Sequence, residues 1–380
     1  MSENVTSITQ EPKYQAIIKN WRSFWALEDI GRPLWLMPTV PVLTAAELRM
    51  VPLPKLFQEK EVQLEVSLNV LEWREATDIG DDFVPHLVPF AGVSVFASAF
   101  GSKVEFFEHT YPWAHPVITA DDPPEKVYEL PVPKPTDAQL GQMLEFTEYF
   151  VEQTKGRYPI AQTDMQGPLD VAYLVWDSSA FMMAMRSNPK EVHHLMRMST
   201  DIIIKYVKEQ RARSPEFIPC HYPPFYLPDG MGLHISDDGL AVIGAKMYEE
   251  FCLPYVNELS EEFGGLSIHS CGNFVHQFGN LEKIHNLRGL NFGVSETPFE
   301  AVWERFNGKL GIMPHMGLNN QSGQLLFQNT WEYLEHVLRT KTHNRGFGVV
   351  VVPVAGDHVE ESGGLEGWLS RVKETLAKYS

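Results

Sequence analysis

His269 and Cys271, in the stretch LSIHSCGN that begins at Leu266, place an imidazole and a thiol one residue apart at the end of a short alternating apolar run. At that spacing on an extended segment both side chains project to the same side, so the pair can converge on one ion or one substrate. The chemistry open to it is soft-metal ligation, with zinc the expected ion, or direct contact with a reacting group. The structural alternative is a core histidine bonded to backbone beside a cysteine behaving as a small apolar residue. Catalytic zinc takes about three protein ligands and an open position. Cys271 is the last cysteine, so the third ligand has to come from Glu296, His315, Asp357 or His358.

Other polar residues fall at comparable places. Asp164 and Gln166 follow the apolar run 158–163, Asp237 and Asp238 follow 230–236, Glu296 follows 290–294, His315 follows 310–314, and Asp357 with His358 follow 347–354. Asp237 and Asp238 are adjacent carboxylates, suited to sharing a proton or holding a cationic nitrogen, and Asp237 or Asp164 is expected to orient substrate or handle protons. Between them lies HYPPFYLPDGMG (221–232), whose rings among prolines and glycines suit a flat-walled pocket for a large planar ligand, with Tyr222, Tyr226 and Met231 as contacts. A packed loop covering one end of the fold is the alternative for that segment.

The elements that must position these residues alternate between strand and helix. Helical spacing runs from Tyr14 to Trp25 and again over 55–77, 136–156, 169–185, 189–213 and 247–263, and a small-residue helix is expected over 90–100. Strands are expected at 34–38, 82–88, 158–163, 266–269, 290–294, 310–314 and 347–354, with 217–222 and 230–236 competing for the fourth position. The later strands each follow a helix ending at Gly265, Gly289, Gly308 or Gly346. About eight apolar strands in such alternation argue for a single (β/α)8 barrel over residues 1–380, an open doubly wound sheet being the runner-up. Residues 1–11 read as a loose start before an N-terminal helical extension. KVEFFEHTYPWAHPVI (103–118) alternates at period two and reads as an inserted β-hairpin, a lid over the pocket or an arm towards a second subunit in a homodimer.

Composition limits the partners. With 31 basic and 49 acidic residues the formal charge is −18, a field that repels nucleic acid and anionic membranes and leaves a small-molecule substrate as the expected partner. Three cysteines in 380 residues do not make a disulfide framework, which together with the lack of a signal-like start points to the cytoplasm.

The segment from Gly230 to Gly272, GMGLHISDDGLAVIGAKMYEEFCLPYVNELSEEFGGLSIHSCG, resembles the uroporphyrinogen decarboxylase superfamily, as does QGPLDVAYLVWDSS followed by NPKEVHHLM. The likeness implies a (β/α)8 barrel. It is nearer the methylcobamide-dependent methyltransferase-like branch, which implies zinc held by the H-x-C pair, a corrinoid methyl donor, a corrinoid protein as partner and a thiol or folate-type acceptor. That branch supplies a distant cysteine after its last strand, where this chain has VAGDH (354–358), so His358 is the nearest candidate ligand. The decarboxylase branch, which needs no cofactor, carries an arginine-rich N-terminal loop for substrate carboxylates. Here the corresponding area reads RPLWLMPTVPVLT with only Arg32, which ranks decarboxylation of a tetrapyrrole or other carboxylate second. A tetrapyrrole or corrinoid binder without chemistry is the third reading.

Overall fold

The computed structural model describes residues 5–38, 51–317, 326–361 and 363–380. Its strands, in chain order, are β1 (Leu34–Leu36), β2 (Lys103–Glu105), β3 (Trp113–His115), β4 (Ile160–Ala161), β5 (Phe217–Ile218), β6 (Leu233–Ser236), β7 (Leu266–Ser270), β8 (Leu287–Gly293), β9 (Gly311–His315) and β10 (Gly348–Val350). Prolines keep many of them short: Pro33, Pro159 and Pro219 sit beside β1, β4 and β5 and cannot donate to a ladder.

Parallel ladders join β6 to β7, β8 and β9 in order, β4 to β5, and β10 to β1. Single backbone contacts connect these pieces. Phe347 bridges Ile312, Leu87 bridges Ile160, the Asp82 N–H donates to the Trp35 carbonyl at 3.0 Å, and the His234 N–H donates to the Pro219 carbonyl at 2.8 Å. Followed in order, these contacts lead from β1 through three separate parallel ladders and back to β1, a course in keeping with the expected (β/α)8 class. Both stretches that compete for the fourth position are in the wall. β5 pairs with the start of the third segment, while Ser236 at the end of β6 bridges Gln166 further along it.

The first helix, α1 (Pro12–Trp25), buries Trp21, Phe24 and Trp25. Their rings lie where β8 and β9 begin: a Cβ added at Gly289 would come within 2.8 Å of Trp25, and one at Gly311 within 2.7 Å of Phe24. Gly289 therefore belongs inside β8, where it lets a tryptophan seat, and corrects its reading as a helix end. The indole N–H groups of Trp21 and Trp25 donate to the Asp82 and Tyr226 carbonyls at 2.7 and 2.9 Å, so α1 closes this end of the ring with its polar atoms satisfied.

Several other boundaries differ from expectation for local reasons. The helix expected over 169–185 is two, Pro168–Val175 and Ser178–Ser187, because the Asp177 side chain caps the second by accepting from the Ala180 N–H at 3.0 Å. The helix expected over 247–263 also divides, at Cys252, ahead of Pro254. That over 90–100 shrinks to Val95–Ser98. The start is not loose from Ser7 on: the Ser7 and Thr9 hydroxyls donate to the Glu216 carboxylate at 2.6 and 2.8 Å, and Ile8 is buried. Residues 1–4 of that expectation, and 39–44 of the arginine-poor stretch, lie outside the described residues. The inserted hairpin is present, β2 and β3 pairing antiparallel from Lys103 opposite His115 to Glu105 opposite Trp113. No described helix is long and apolar enough to cross a membrane.

Candidate metal centre

The carboxyl ends of β6 and β7 bring Asp238, His269 and Cys271 together, with one donor atom from each lying within 4.8 Å of the others. The Cys271 Sγ is 3.4 Å from His269 Nε2, and the Cys271 N–H donates to Asp238 Oδ1 at 2.6 Å. Gly272 holds the turn at φ +89°, a conformation costly for any residue with a Cβ. Sulfur, imidazole nitrogen and carboxylate oxygen are a donor set that zinc takes. The third member is Asp238, which sequence reasoning had assigned to proton handling and not to the metal.

A second layer fixes the imidazole. Asn291 Nδ2 donates to the Met313 carbonyl at 2.5 Å, which turns its Oδ1 towards His269 Nδ1, also at 2.5 Å. Nδ1 must then carry the hydrogen, leaving the Nε2 lone pair directed at the cluster. Burial holds His269 below the usual imidazole range, keeping it neutral. His315 stacks on His269 with ring centroids 5.7 Å apart and is pushed down to about 3 by burial and by His269, its Nδ1 having no partner among the described residues.

The electrostatics are lopsided. Burial, then the Asp238 and Glu296 carboxylates, push the Cys271 thiol well above its ordinary range. Glu296 is itself raised by burial and Asp238. Asp237 is buried and raised to about 7, chiefly by desolvation; the Tyr248 hydroxyl donates to its Oδ2 at 2.6 Å, while Oδ1 has no partner among the described residues. Asp170 accepts the backbone N–H groups of Asp238 and Gly239 at 2.7 and 3.0 Å, fixing the turn that aims Asp238. No described lysine or arginine pairs with any of these carboxylates. Such a place disfavours a bare thiolate and favours a cation that would stabilise one.

Nearby, Asp164 Oδ1 accepts from Gln166 Nε2 at 2.7 Å and lies 3.3 Å from His221 Nε2. Tyr222 meets His269 edge-on at 6.0 Å, and Tyr111, at the hairpin tip, lies within electrostatic reach of Asp164 and Tyr222.

Three expected site residues are placed elsewhere. Tyr226 packs beside α1, its carbonyl taken by Trp25, and Met231 precedes β6, so both lie towards the sealed end of the ring. His358 is two-thirds exposed and sits 3.8 Å from Glu361 on a surface turn, outside the cluster. Asp357 is structural: it accepts from the Thr330 hydroxyl and the Trp368 indole at 2.7 and 2.8 Å. The sequence reading missed Asn291, Asp170, His221, Tyr111 and Tyr248. Of these only Asn291 carried a signal, a lone amide within the apolar run LNFGV.

Two of the early arginines are already spent. Arg32 forks onto Asp82 at 2.6 and 2.7 Å, and buried Arg74 onto Asp81 at 2.7 and 2.8 Å.

Comparison with known proteins agrees with this fold. Residues 51–219 match the family model described as uroporphyrinogen decarboxylase. A uroporphyrinogen decarboxylase of Xanthomonas campestris pv. campestris (strain B100) is 25% identical over 259 residues, 65% of either chain, and one of Xanthomonas oryzae pv. oryzae (strain PXO99A) is 24% identical over the same span. The alignment thus spans slightly under two thirds of these relatives' length. A solved methyltransferase from Methanosarcina mazei superposes with a TM-score of 0.67 at 12% identity, covering 99% of this chain and 100% of that one, a likeness of fold. The family-model match over 51–219, the curated relatives and the whole-chain superposition thus agree in making this chain similar to uroporphyrinogen decarboxylases in part of its sequence and to the Methanosarcina mazei methyltransferase in fold.

Proposed function

We propose that the protein is a zinc-assisted methyltransferase in which Asp238, His269 and Cys271 hold the metal, and a corrinoid, free or carried by a partner protein, donates a methyl group to a thiol. The observation that carries this reading is the cluster of sulfur, nitrogen and oxygen donors within 4.8 Å, in a setting of carboxylates that no lysine or arginine among the described residues pairs. When bound, zinc supplies the positive charge that turns an acceptor thiol into a thiolate nucleophile at neutral pH. Asn291 keeps the His269 lone pair in place, and Asp170 holds the Asp238 backbone. His315, Tyr222 and Tyr111 form the wall on which a planar donor would lie.

The competing reading is decarboxylation, favoured by the description of the curated relatives. A polycarboxylate substrate needs cations, and here Arg32 and Arg74 are engaged with Asp82 and Asp81. Metal analysis decides between them. About one zinc per chain, lost in Cys271→Ala, is the expected result for a site of this kind, together with methyl transfer from methylcobalamin to a thiol. A native protein without zinc that releases CO₂ from uroporphyrinogen would reverse the ranking.

A further inference from the structure

The tip of the inserted hairpin rests on a support of its own. Leu53, Leu56, Phe57 and Val66 form a small apolar cluster separate from the main core, and Phe90 and Phe106 pack on it. Gln63 fastens this support: its Nε2 donates to the Leu56 and Phe90 carbonyls at 2.9 and 2.7 Å, and the Phe90 N–H donates to its Oε1 at 2.9 Å. Tyr111 sits there with its ring centroid 6.0 Å from that of Phe57 and 5.9 Å from that of Phe90. Gly92 lets the tip lie down, since an added Cβ would come within 3.3 Å of Pro112 and 3.8 Å of Tyr111.

The tip itself is held lightly. Tyr111 is 37% exposed, and ring contacts alone seat its side chain among the described residues. Below it the ladder runs only from Lys103 opposite His115 to Glu105 opposite Trp113, while the foot is tied firmly, the Val117 and Ile118 N–H groups donating to the Val175 carbonyl at 2.8 and 3.1 Å. Ring contacts without hydrogen bonds part at low cost, so a tip of this kind opens before the body does. Between the tip and the metal ligands stands Tyr222, within electrostatic reach of both Tyr111 and the Cys271 thiol and edge-on to His269 at 6.0 Å. Of the three cysteines, Cys271 alone is partly exposed.

We propose that Tyr111 gates the site: seated on Phe57 and Phe90 it narrows the approach to Cys271, and with the tip lifted it admits a bulky ligand. The hairpin is then a lid over the pocket and not an arm towards a second subunit. The gate is independent of whether the site holds zinc.

Cysteine labelling of the metal-free protein tests it, because peptide mass spectra report the three cysteines separately. Cys271 is labelled with iodoacetamide and with the much larger fluorescein maleimide, while Cys220 and Cys252, both fully buried, stay unlabelled as long as the fold is closed. The ratio of the two rates cancels the reactivity of the thiol and reads the width of the approach. Tyr111→Ala raises the rate with the large reagent relative to the small one roughly tenfold, as the loss of both ring contacts implies. Tyr111→Phe keeps the ring and leaves the ratio at the parent value, and so does Trp113→Ala, 52% exposed on the same hairpin. An unchanged ratio in Tyr111→Ala overturns the gate, as does an equal rise in Trp113→Ala, which would mean that any loosening of the hairpin suffices. Labelling of Cys271 that slows with rising protein concentration gives the tip to a second subunit and overturns it too. So does labelling of Cys220 and Cys252 in step with Cys271, which reports opening of the whole fold.

Discussion

The two ends of the strand ring treat polar atoms in opposite ways. At the end covered by α1, each indole N–H finds a carbonyl, glycines replace side chains to let rings seat, and Trp21 is fully buried. At the other end, Asp237 Oδ1 and His315 Nδ1 are buried without partners among the described residues, and the Cys271 thiol is held up by burial and by neighbouring carboxylates. A protein of ordinary marginal stability tolerates such incomplete pairing where a ligand completes it, so the asymmetry itself marks the working face.

The largest expected effect breaks the sealed end. Trp21→Ala removes a fully buried ring and leaves the Asp82 carbonyl without its donor, costing about 3–5 kcal/mol in urea unfolding, with zinc per folded chain unchanged. Loss of zinc without loss of stability would mean the ends are not separate.

Acid tests the buried histidines. His86 is pushed down to about 4 by burial, so between pH 6.5 and about 4 the unfolded chain binds a proton the folded one refuses. Its contribution therefore falls as pH drops through that window, by up to about 3 kcal/mol, and His86→Gln should flatten the acid side of the melting-temperature profile by a comparable amount. An unchanged profile would show that His86 is solvated on a short timescale.

At the open end, Asn291→Leu frees the His269 tautomer and should weaken zinc binding roughly 10–100-fold in a competitive chelator titration, with a smaller change in stability. Asp238→Asn relieves repulsion with Asp237 and Glu296, so the metal-free variant should gain about 1 kcal/mol while zinc no longer raises its melting temperature. His358→Ala, on an exposed turn, should leave zinc content unaltered and stability within about 0.5 kcal/mol of the parent. Zinc loss there would restore His358 as a ligand.

Much of the frame was legible from residue order. Strand and helix alternated with glycine and proline at their ends, the hairpin announced itself by period-two alternation, and the H-x-C pair sat at a strand end. What escaped was whatever depends on a residue distant in sequence. Gly289 looked like a helix stop because the Trp25 ring it accommodates lies far back in the chain. Asp238 looked like half of an acid pair because its distance to Cys271 is set by β6 pairing with β7. Tyr226 and Met231 shared an aromatic loop with Tyr222, and only the fold separates the end where Tyr222 meets His269 from the end where Tyr226 meets Trp25. His358 was favoured by the chemistry of its ring alone, which says nothing of exposure.

His269, Asn291 and Met313 are register partners on β7, β8 and β9, and side-chain hydrogen bonds tie them along that same row. The three strands are thus stitched crosswise as well as by their backbone ladders. A slip of one residue in β8 would turn Asn291 to the opposite face and unfasten His269 at a stroke. Under the proposed metal reading, correct strand alignment and competence to hold the ion become one property, so that metal uptake during refolding would time the moment these strands lock.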